Sequence, residues 1–306
     1  MNRIFVDDAR QRDFERDGFV VARLMSADEA AAFRQRIDTV RDGAAFEPNS
    51  EGNRAYHVSL MDPDLAYRRR ARQFAETVLA DRVRALLVDY RFLTGGFLIK
   101  AAGAAEIQIH RDWTMTPTPD EVALNCWCAL VDIDEKNGGL ALLPGSHALV
   151  PNIEAPGVAP FFSAYCDRLK SHSVSLELKA GEAAIFDYRA LHWSSANRSS
   201  ELRAAVSAAF IPQGSRPVLF LPDKAGGERR FRMVEPEEGE WTDMIAEGVT
   251  GAPAGTRTIG FVRDENCAVS LAEFERLLAG RAPAAASRPA GLAGRLRAWL
   301  GPKAAA

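Results

Sequence analysis

Cysteine is scarce in this chain, with four residues in 306. Cys126 and Cys128 lie two apart on one apolar stretch, badly placed to bond each other, and no second pair completes a tetrahedral zinc set. So few cysteines make no disulfide framework. They read instead as buried small hydrophobes in a reducing compartment. No run of 18 or more apolar residues occurs, so no segment is expected to cross a bilayer. A basic excess is lacking too: 38 Lys and Arg stand against 41 Asp and Glu, a net charge of −3. That balance argues against nucleic acid as a partner, because no surplus cation is available to displace phosphate counterions. Met1 to Arg16 is charged and has no hydrophobic core of a secretory signal, so the expected location is the cytoplasm.

What is present is enough apolar residue, 47%, to fill one sizeable core, with 26% charged residues to cover it. Phe14 to Met25 reads as a turn into a short strand. Ser26 with Glu29 reads as a capping box opening a helix to about Arg41. A second helix, from Asp64 to about Asp89, presents Phe74, Val78, Val83 and Leu87 on one stripe, with Arg68, Arg69, Arg70 and Arg72 read as a solvated face in preference to an anion site. From Arg91 the period shortens to strands over 92–100, 106–110, 122–133, 140–143, 174–178, 183–186 and 204–211. Many short strands between Gly, Pro, Asn and Asp turns, following helices, predict a mainly β chain with added helices. The expected core is a jelly roll (a double-stranded β-helix, cupin-like) or a related double-sheet β fold, with the N-terminal helices packed on one sheet.

The expected organisation is one domain over 1–281: a helical part at 1–90, the jelly-roll core at 91–215 and a C-terminal extension at 216–281. Ser270 to Leu278 reads as a short helix with Glu273 completing a capping box. Residues 282–306 read as a linker and a short basic amphipathic tail, Gly291 to Leu300, for which contact with a membrane surface is the weaker alternative to a frayed or packed-back end. Oligomeric state is left open.

The chemistry concentrates in His110-Arg111-Asp112, then His192, then Arg203. Two imidazoles and a carboxylate can occupy one face of an octahedral Fe(II), leaving three positions for oxygen activation. His110 and Asp112 follow a strand-like run whose period of two puts both on one side. Arg203 opens an apolar run, where a guanidinium could hold a carboxylate bidentately.

The surroundings carry more. Asn125-Cys126-Trp127-Cys128-Ala129-Leu130-Val131-Asp132, Glu135 to Leu140 with Asn137-Gly138-Gly139, and Leu143-Pro144-Gly145-Ser146-His147 are similar to the core signature of the phytanoyl-CoA dioxygenase family. So are Gly181-Glu182 leading to His192-Trp193-Ser194, and the opening Phe14 with Asp17-Gly18-Phe19-Val20-Val21. The resemblance keeps this order from about Phe14 to about Pro212. It implies Fe(II) held by His110, Asp112 and His192, with 2-oxoglutarate as cosubstrate and O2 as oxidant. It further implies that Arg203 pairs with the far carboxylate of 2-oxoglutarate, with Ser194 beside it, Trp127 walling the pocket and Lys100 nearby. The reaction implied is hydroxylation of an unactivated C–H of a small organic substrate, releasing succinate and CO2. Asp112 favours hydroxylation over halogenation, since related halogenases carry Ala or Gly at that position.

Gln108, on the side of His110, and Trp113 and Thr114, directly after Asp112, are the candidate substrate contacts. His147 reads as part of a strand-ending turn, and His57 and His172 as surface or loop histidines. The 150–170 insert, with Phe161, Phe162, Tyr165 and Arg168, suggests a partly apolar lid and so a lipidic or acyl substrate. Two other readings stay open: a cupin-like metal hydrolase or isomerase, which needs neither Arg203 nor 2-oxoglutarate, and a catalytically silent metabolite-binding module.

Overall fold

The computed structural model describes residues 2–48, 56–223, 229–236, 241–245 and 256–280. The linker and the amphipathic tail expected after residue 281 lie outside the described residues. In chain order the elements are α1 (Asp8–Asp17), β1 (Phe19–Arg23), α2 (Ala27–Val40), β2 (His57–Val58), α3 (Leu65–Arg84), β3 (Tyr90–Lys100), β4 (Ile107–His110) and β5 (Leu124–Ala129). They continue with β6 (Leu140–Leu142), α4 (Cys166–Lys170), β7 (Val174–Ser175), β8 (Glu182–Asp187), β9 (His192–Ser194) and β10 (Arg203–Pro212). The extension holds β11 (Leu219–Asp223), β12 (Arg230–Pro236), α5 (Trp241–Ile245), β13 (Thr256–Arg263) and α6 (Leu271–Ala279).

Two antiparallel sheets face each other in the jelly roll. The larger runs β1-β8-β5-β10-β3-β2 and the smaller β4-β9-β6-β7. Alternation along the shared strands divides the work between two faces. On β5 and β10, Cys126, Cys128, Val206, Ala208 and Phe210 point outward into a cluster with Ala71, Phe74 and Val78 of α3 and Ala30 and Ile37 of α2. Trp127, Ala129 and Ala205 point inward, against Leu140 and Leu142 of the smaller sheet. The helices therefore cover the outer face and leave the inner face for the cavity, as expected from the order of elements.

The capping box of α2 is present in both halves, Ser26 to Glu29 and back. At α6 only one half forms: Ser270 accepts from the Glu273 amide, while the Glu273 carboxylate turns to Arg276. Sequence reading missed α1, whose one buried residue is Phe14, so no apolar stripe signals it. Its end is fixed by Gly18 at φ +82°, where a Cβ would run into the His147 ring. His147 is thus a packing residue, stacked 6.1 Å from Phe14, in keeping with its structural reading.

Three further expectations are corrected. Arg68 is no solvated residue: it is 5% exposed and donates to the carbonyls of Asp62 and Asp243. His57 is no loop histidine but lies buried on β2, between the Glu47 carbonyl and the Tyr67 hydroxyl. The aromatic part of the 150–170 insert is no lid, and of the insert only Pro151, Asn152 and Ile153 line the recess beside the site. Phe161, Phe162 and Tyr165 pack around Phe274 of α6, and Arg168 pairs with Glu275 at 2.9 Å. Burying the Phe274 ring stabilises that clasp by on the order of 2 kcal/mol. The strands β11, β12 and β13 form a separate antiparallel sheet. Leu219, Leu221, Val234 and Trp241 seat this extension on Leu93, Met115 and Ile211, with Trp113 and Tyr188 packed alongside.

Candidate active site

His110 ends β4 and His192 begins β9, and the two strands pair with these residues directly opposite. Their rings stand 4.2 Å apart between centroids. Each histidine directs Nδ1 at a carbonyl two residues before it: His110 at Gln108 (2.8 Å) and His192 at Ala190 (3.0 Å). A carbonyl only accepts, so Nδ1 carries the proton and Nε2 keeps its lone pair, the tautomer a metal needs. Asp112 lies just past β4, with Oδ1 3.8 Å from His192 Nε2. One ligand atom from each of His110, Asp112 and His192 falls within 4.8 Å of the others. Burial, then the neighbouring His110, depresses His192 to about 4, against a smaller upward pull from Asp112. It is neutral at physiological pH and ready to donate.

Deeper in the same cavity lies Arg203, 1% exposed. Its Nη1 donates to the Leu98 carbonyl at 3.0 Å, and its guanidinium carbon lies 5.2 Å from the Trp127 ring centroid. Its Nε is buried without a hydrogen-bond partner, and no carboxylate among the described residues pairs with it. Burial depresses this guanidinium to about 10. A buried cation without a counter-charge is costly, and the cost is recovered when an anionic ligand arrives.

Lys100, opposite Arg203 in the β3–β10 register, is fully buried. It donates to Ser194 Oγ at 2.9 Å and to the Ser195 carbonyl at 2.6 Å. Burial, reinforced by Arg203, depresses it to about 7. A Cβ at Gly138, whose φ is +94°, would stand 2.6 Å from Lys100 Cδ, so this turn glycine makes room for the lysine stem.

His110, Asp112, His192, Arg203, Ser194, Trp127 and Trp113 all line one cavity of about 300 Å³. Lys100 stands behind Ser194 and steadies it from the rear. Thr114 faces an adjoining recess of about 550 Å³ that shares Asp112, Met115 and Tyr188 with the first. Its hydroxyl accepts from the Glu154 amide at 3.0 Å. Gln108 is the exception: its amide is engaged outside with Glu106 and Lys170, away from the cavity. An irregularity in the β4–β9 pairing between Ile107 and His110 breaks the period of two on which its expected direction rested. Only its carbonyl serves the site, through His110.

Sequence reading missed Asn125, Ser207, Tyr56 and Tyr188, which line the cavity as well. Asn125 donates from Nδ2 to Asp112 Oδ2 at 2.9 Å, and Ser207 donates to Asn125 Oδ1 at 2.7 Å. The Tyr56 phenol is pushed up to about 12, chiefly by burial and then by Asp112, with Arg203 pulling the other way. A polar residue inside the apolar strand β5 is the available signal for Asn125; nothing local marks Tyr56.

A jelly roll with two histidines and one carboxylate on its inner wall, and a buried guanidinium deeper in, has the architecture of the non-haem iron, 2-oxoglutarate-dependent dioxygenases. Comparison with known proteins agrees. Residues 14–205 match the family model described as phytanoyl-CoA dioxygenase. The ectoine dioxygenase of Bordetella bronchiseptica is 28% identical over 249 residues, covering 70% of this chain and 77% of that protein. The multifunctional dioxygenase prhA of Penicillium brasilianum is 23% identical, covering 72% of this chain and 78% of its own. In fold, the chain resembles the non-haem alpha-ketoglutarate-dependent carbocyclase SnoK of nogalamycin biosynthesis, with a TM-score of 0.55 at 19% identity, over 69% of this chain and 86% of that one. The chain belongs to the phytanoyl-CoA dioxygenase family, and its enzyme class is that of the iron- and 2-oxoglutarate-dependent dioxygenases.

Proposed function

We propose that this protein hydroxylates an unactivated C–H bond of a small organic substrate, with His110, Asp112 and His192 as the Fe(II) ligands and Arg203 as the anchor for 2-oxoglutarate. The observation that carries this reading is the buried Arg203, its Nε without a partner, in the cavity that the two histidines and Asp112 line. A metal hydrolase with the same three ligands has no use for a buried guanidinium there. The donor set fits the group: two neutral imidazole nitrogens and a carboxylate oxygen suit Fe(II), and the uncompensated cation suits the far end of a dicarboxylate.

Bound iron and 2-oxoglutarate supply the oxidising chemistry, with O2 consumed and succinate and CO2 released. The chain's own residues place and exclude. The backbone carbonyls of Gln108 and Ala190 hold the imidazoles in the metal-binding tautomer. Arg203 orients the cosubstrate, with Ser194 beside it and Trp127 as a wall. Tyr56, Tyr188, Trp113 and Met115 enclose the metal side, which limits water at the reacting C–H. The cavity and its adjoining recess lie on the Trp113 and Thr114 side of Asp112, and the proposal places the substrate there. A lipidic or acyl substrate loses its support, since the aromatic insert is occupied with α6.

The test is anaerobic titration of the Fe(II)-loaded protein with 2-oxoglutarate, following the weak visible charge-transfer band of the chelate. A saturable band that Arg203→Ala removes is the expected result, and a succinate-based substrate screen follows from it. A folded, iron-loaded protein with no band would overturn the proposal and favour a hydrolase or a silent module.

A further inference from the structure

We propose that Asn125 and Ser207 form a positioning relay that fixes which oxygen of Asp112 meets the metal. The inference rests on the reading of Asp112 as a metal ligand. Asp112 presents its two oxygens to different surroundings. Oδ1 faces the imidazoles, 3.8 Å from His192 Nε2, whereas Oδ2 accepts the Asn125 amide at 2.9 Å. One oxygen occupied by a donor leaves the carboxylate to bind through the other alone, which keeps a coordination position open that a bidentate carboxylate would fill.

The relay continues one step further, in the direction that the carboxylate sets. An asparagine amide can turn over, exchanging its oxygen and nitrogen. Turned over, Asn125 would set an oxygen against a carboxylate oxygen. The acceptor-only carboxylate opposes this, and the Ser207 hydroxyl supports the orientation seen by donating to Asn125 Oδ1 at 2.7 Å. Ionised Asp112 only accepts, so the chain runs in one sense: Ser207 donates to Asn125, and Asn125 donates to Asp112. The sheet supplies the spacing. Asn125 stands opposite Ala209 across the β5–β10 ladder and Ser207 opposite Trp127, so the two polar residues are diagonal neighbours on the inward face. On the outward face of the same strands stand Cys126, Cys128, Val206 and Ala208, all apolar and packed under the helices. Asn disfavours strand interiors, and Asn125 is 9% exposed in the middle of the large sheet. A side chain with two committed hydrogen bonds in that position is there for its geometry.

A merely structural role and a positioning role separate by measurement. Cobalt(II) is titrated into the metal-free full-length protein, with affinity and d–d spectrum recorded for the wild type, Asn125→Leu, Ser207→Ala and the double variant. Losing the carboxylate's partner is expected to weaken metal binding by roughly 10- to 100-fold in Asn125→Leu and to shift the d–d bands. Ser207→Ala is expected to weaken it less, since the amide keeps one of its two orientations. The double variant should match Asn125→Leu, because Ser207 acts only through Asn125. Unchanged affinity and spectrum in Asn125→Leu would overturn the relay, as would additive losses in the double variant. If Asn125→Leu fails to fold, Ser207→Ala decides: wild-type affinity and spectrum would refute the relay. A wild type that binds no cobalt would overturn the metal site itself, which separates the two failures.

Discussion

Of the buried guanidiniums in this protein, those of Arg111 and Arg203 border the same cavity, and what separates them is whether a counter-charge is at hand. Arg111, between the two candidate ligands of the His-x-Asp pair, donates to the carbonyls of Val150 and Ser146, stacks over Phe161, and has the Glu154 carboxylate 3.8 Å away. Arg203 donates to one carbonyl, lies over Trp127, and has no carboxylate partner among the described residues. Burial depresses both to about 10. A cation with its counter-charge built in holds the molecule together, as Arg111 does by tying the loop before α4 to the ligand strand. A cation without one is a vacancy of charge that only a ligand fills. The pair of arginines thus separates what the fold keeps for itself from what it keeps for a substrate.

Removing the metal is the harshest intervention and the baseline for the rest. His110→Ala should abolish 2-oxoglutarate turnover and lose most cobalt affinity while thermal stability holds; retained turnover would sink the ligand assignment. Next come the two arginines, whose losses should cross. Arg203→Leu should weaken 2-oxoglutarate binding on the order of 10²- to 10³-fold, since one partner of a desolvated charge pair is gone. It should leave the melting temperature unchanged or raised, because an uncompensated buried charge has been removed. Arg111→Leu should do the reverse: about 3–5 kcal/mol of stability lost as Glu154 is left buried and alone, with 2-oxoglutarate affinity kept in the folded fraction. Denaturant curves and equilibrium titrations on both variants decide it. If both lose affinity, or both lose stability, the comparison fails.

How much of this was legible depends on how local each signal is. That His110, Asp112, His192 and Arg203 share one cavity could be expected from the sequence, because each sits in a stretch whose residue types and order carry meaning on their own. The jelly roll was readable from strand spacing, and the helix-covered outer face from the order of elements. Gln108 was misplaced because the pairing irregularity in β4 changes direction without leaving a mark in the residues. Asn125 and Ser207 meet only once β5 and β10 pair, and Tyr56 arrives from outside the sheets. The extension and its last helix were expected, but its strands escaped, β13 among them because it is part-exposed along its length and shows no clean alternation. Its contribution is tertiary: Trp241 and Val234 back the wall that Trp113 and Met115 present to the cavity.

Lys100 is another buried cation, and it sharpens the comparison by way of pH. It has a hydroxyl and a carbonyl as partners and, among the described residues, no carboxylate, and burial with Arg203 alongside depresses it to about 7, from an ordinary 10.5, against a smaller opposing pull from Glu106. Below about pH 7 folded and unfolded chains both hold the proton, so the fold bears the full cost of burying the charge. Between about 7 and 10.5 the unfolded chain binds the proton and the folded chain has released it, so this group's contribution to stability rises with pH. Above that window both states are neutral and the contribution is level. Lys100→Met removes the titration, so the variant should lose a rise in melting temperature of a few degrees that the wild type shows between pH 7 and 10. The two hydrogen bonds lost in the variant lower stability similarly at every pH in that window, so the slope is the readout and the absolute value is not. Anaerobic saturation with 2-oxoglutarate should flatten the wild-type slope as well, because a dianion beside Arg203 offsets the charge on Lys100. A slope unaffected by the substitution would show that Lys100 titrates in the fold as it does in water, and that the anion deficit belongs to Arg203 alone.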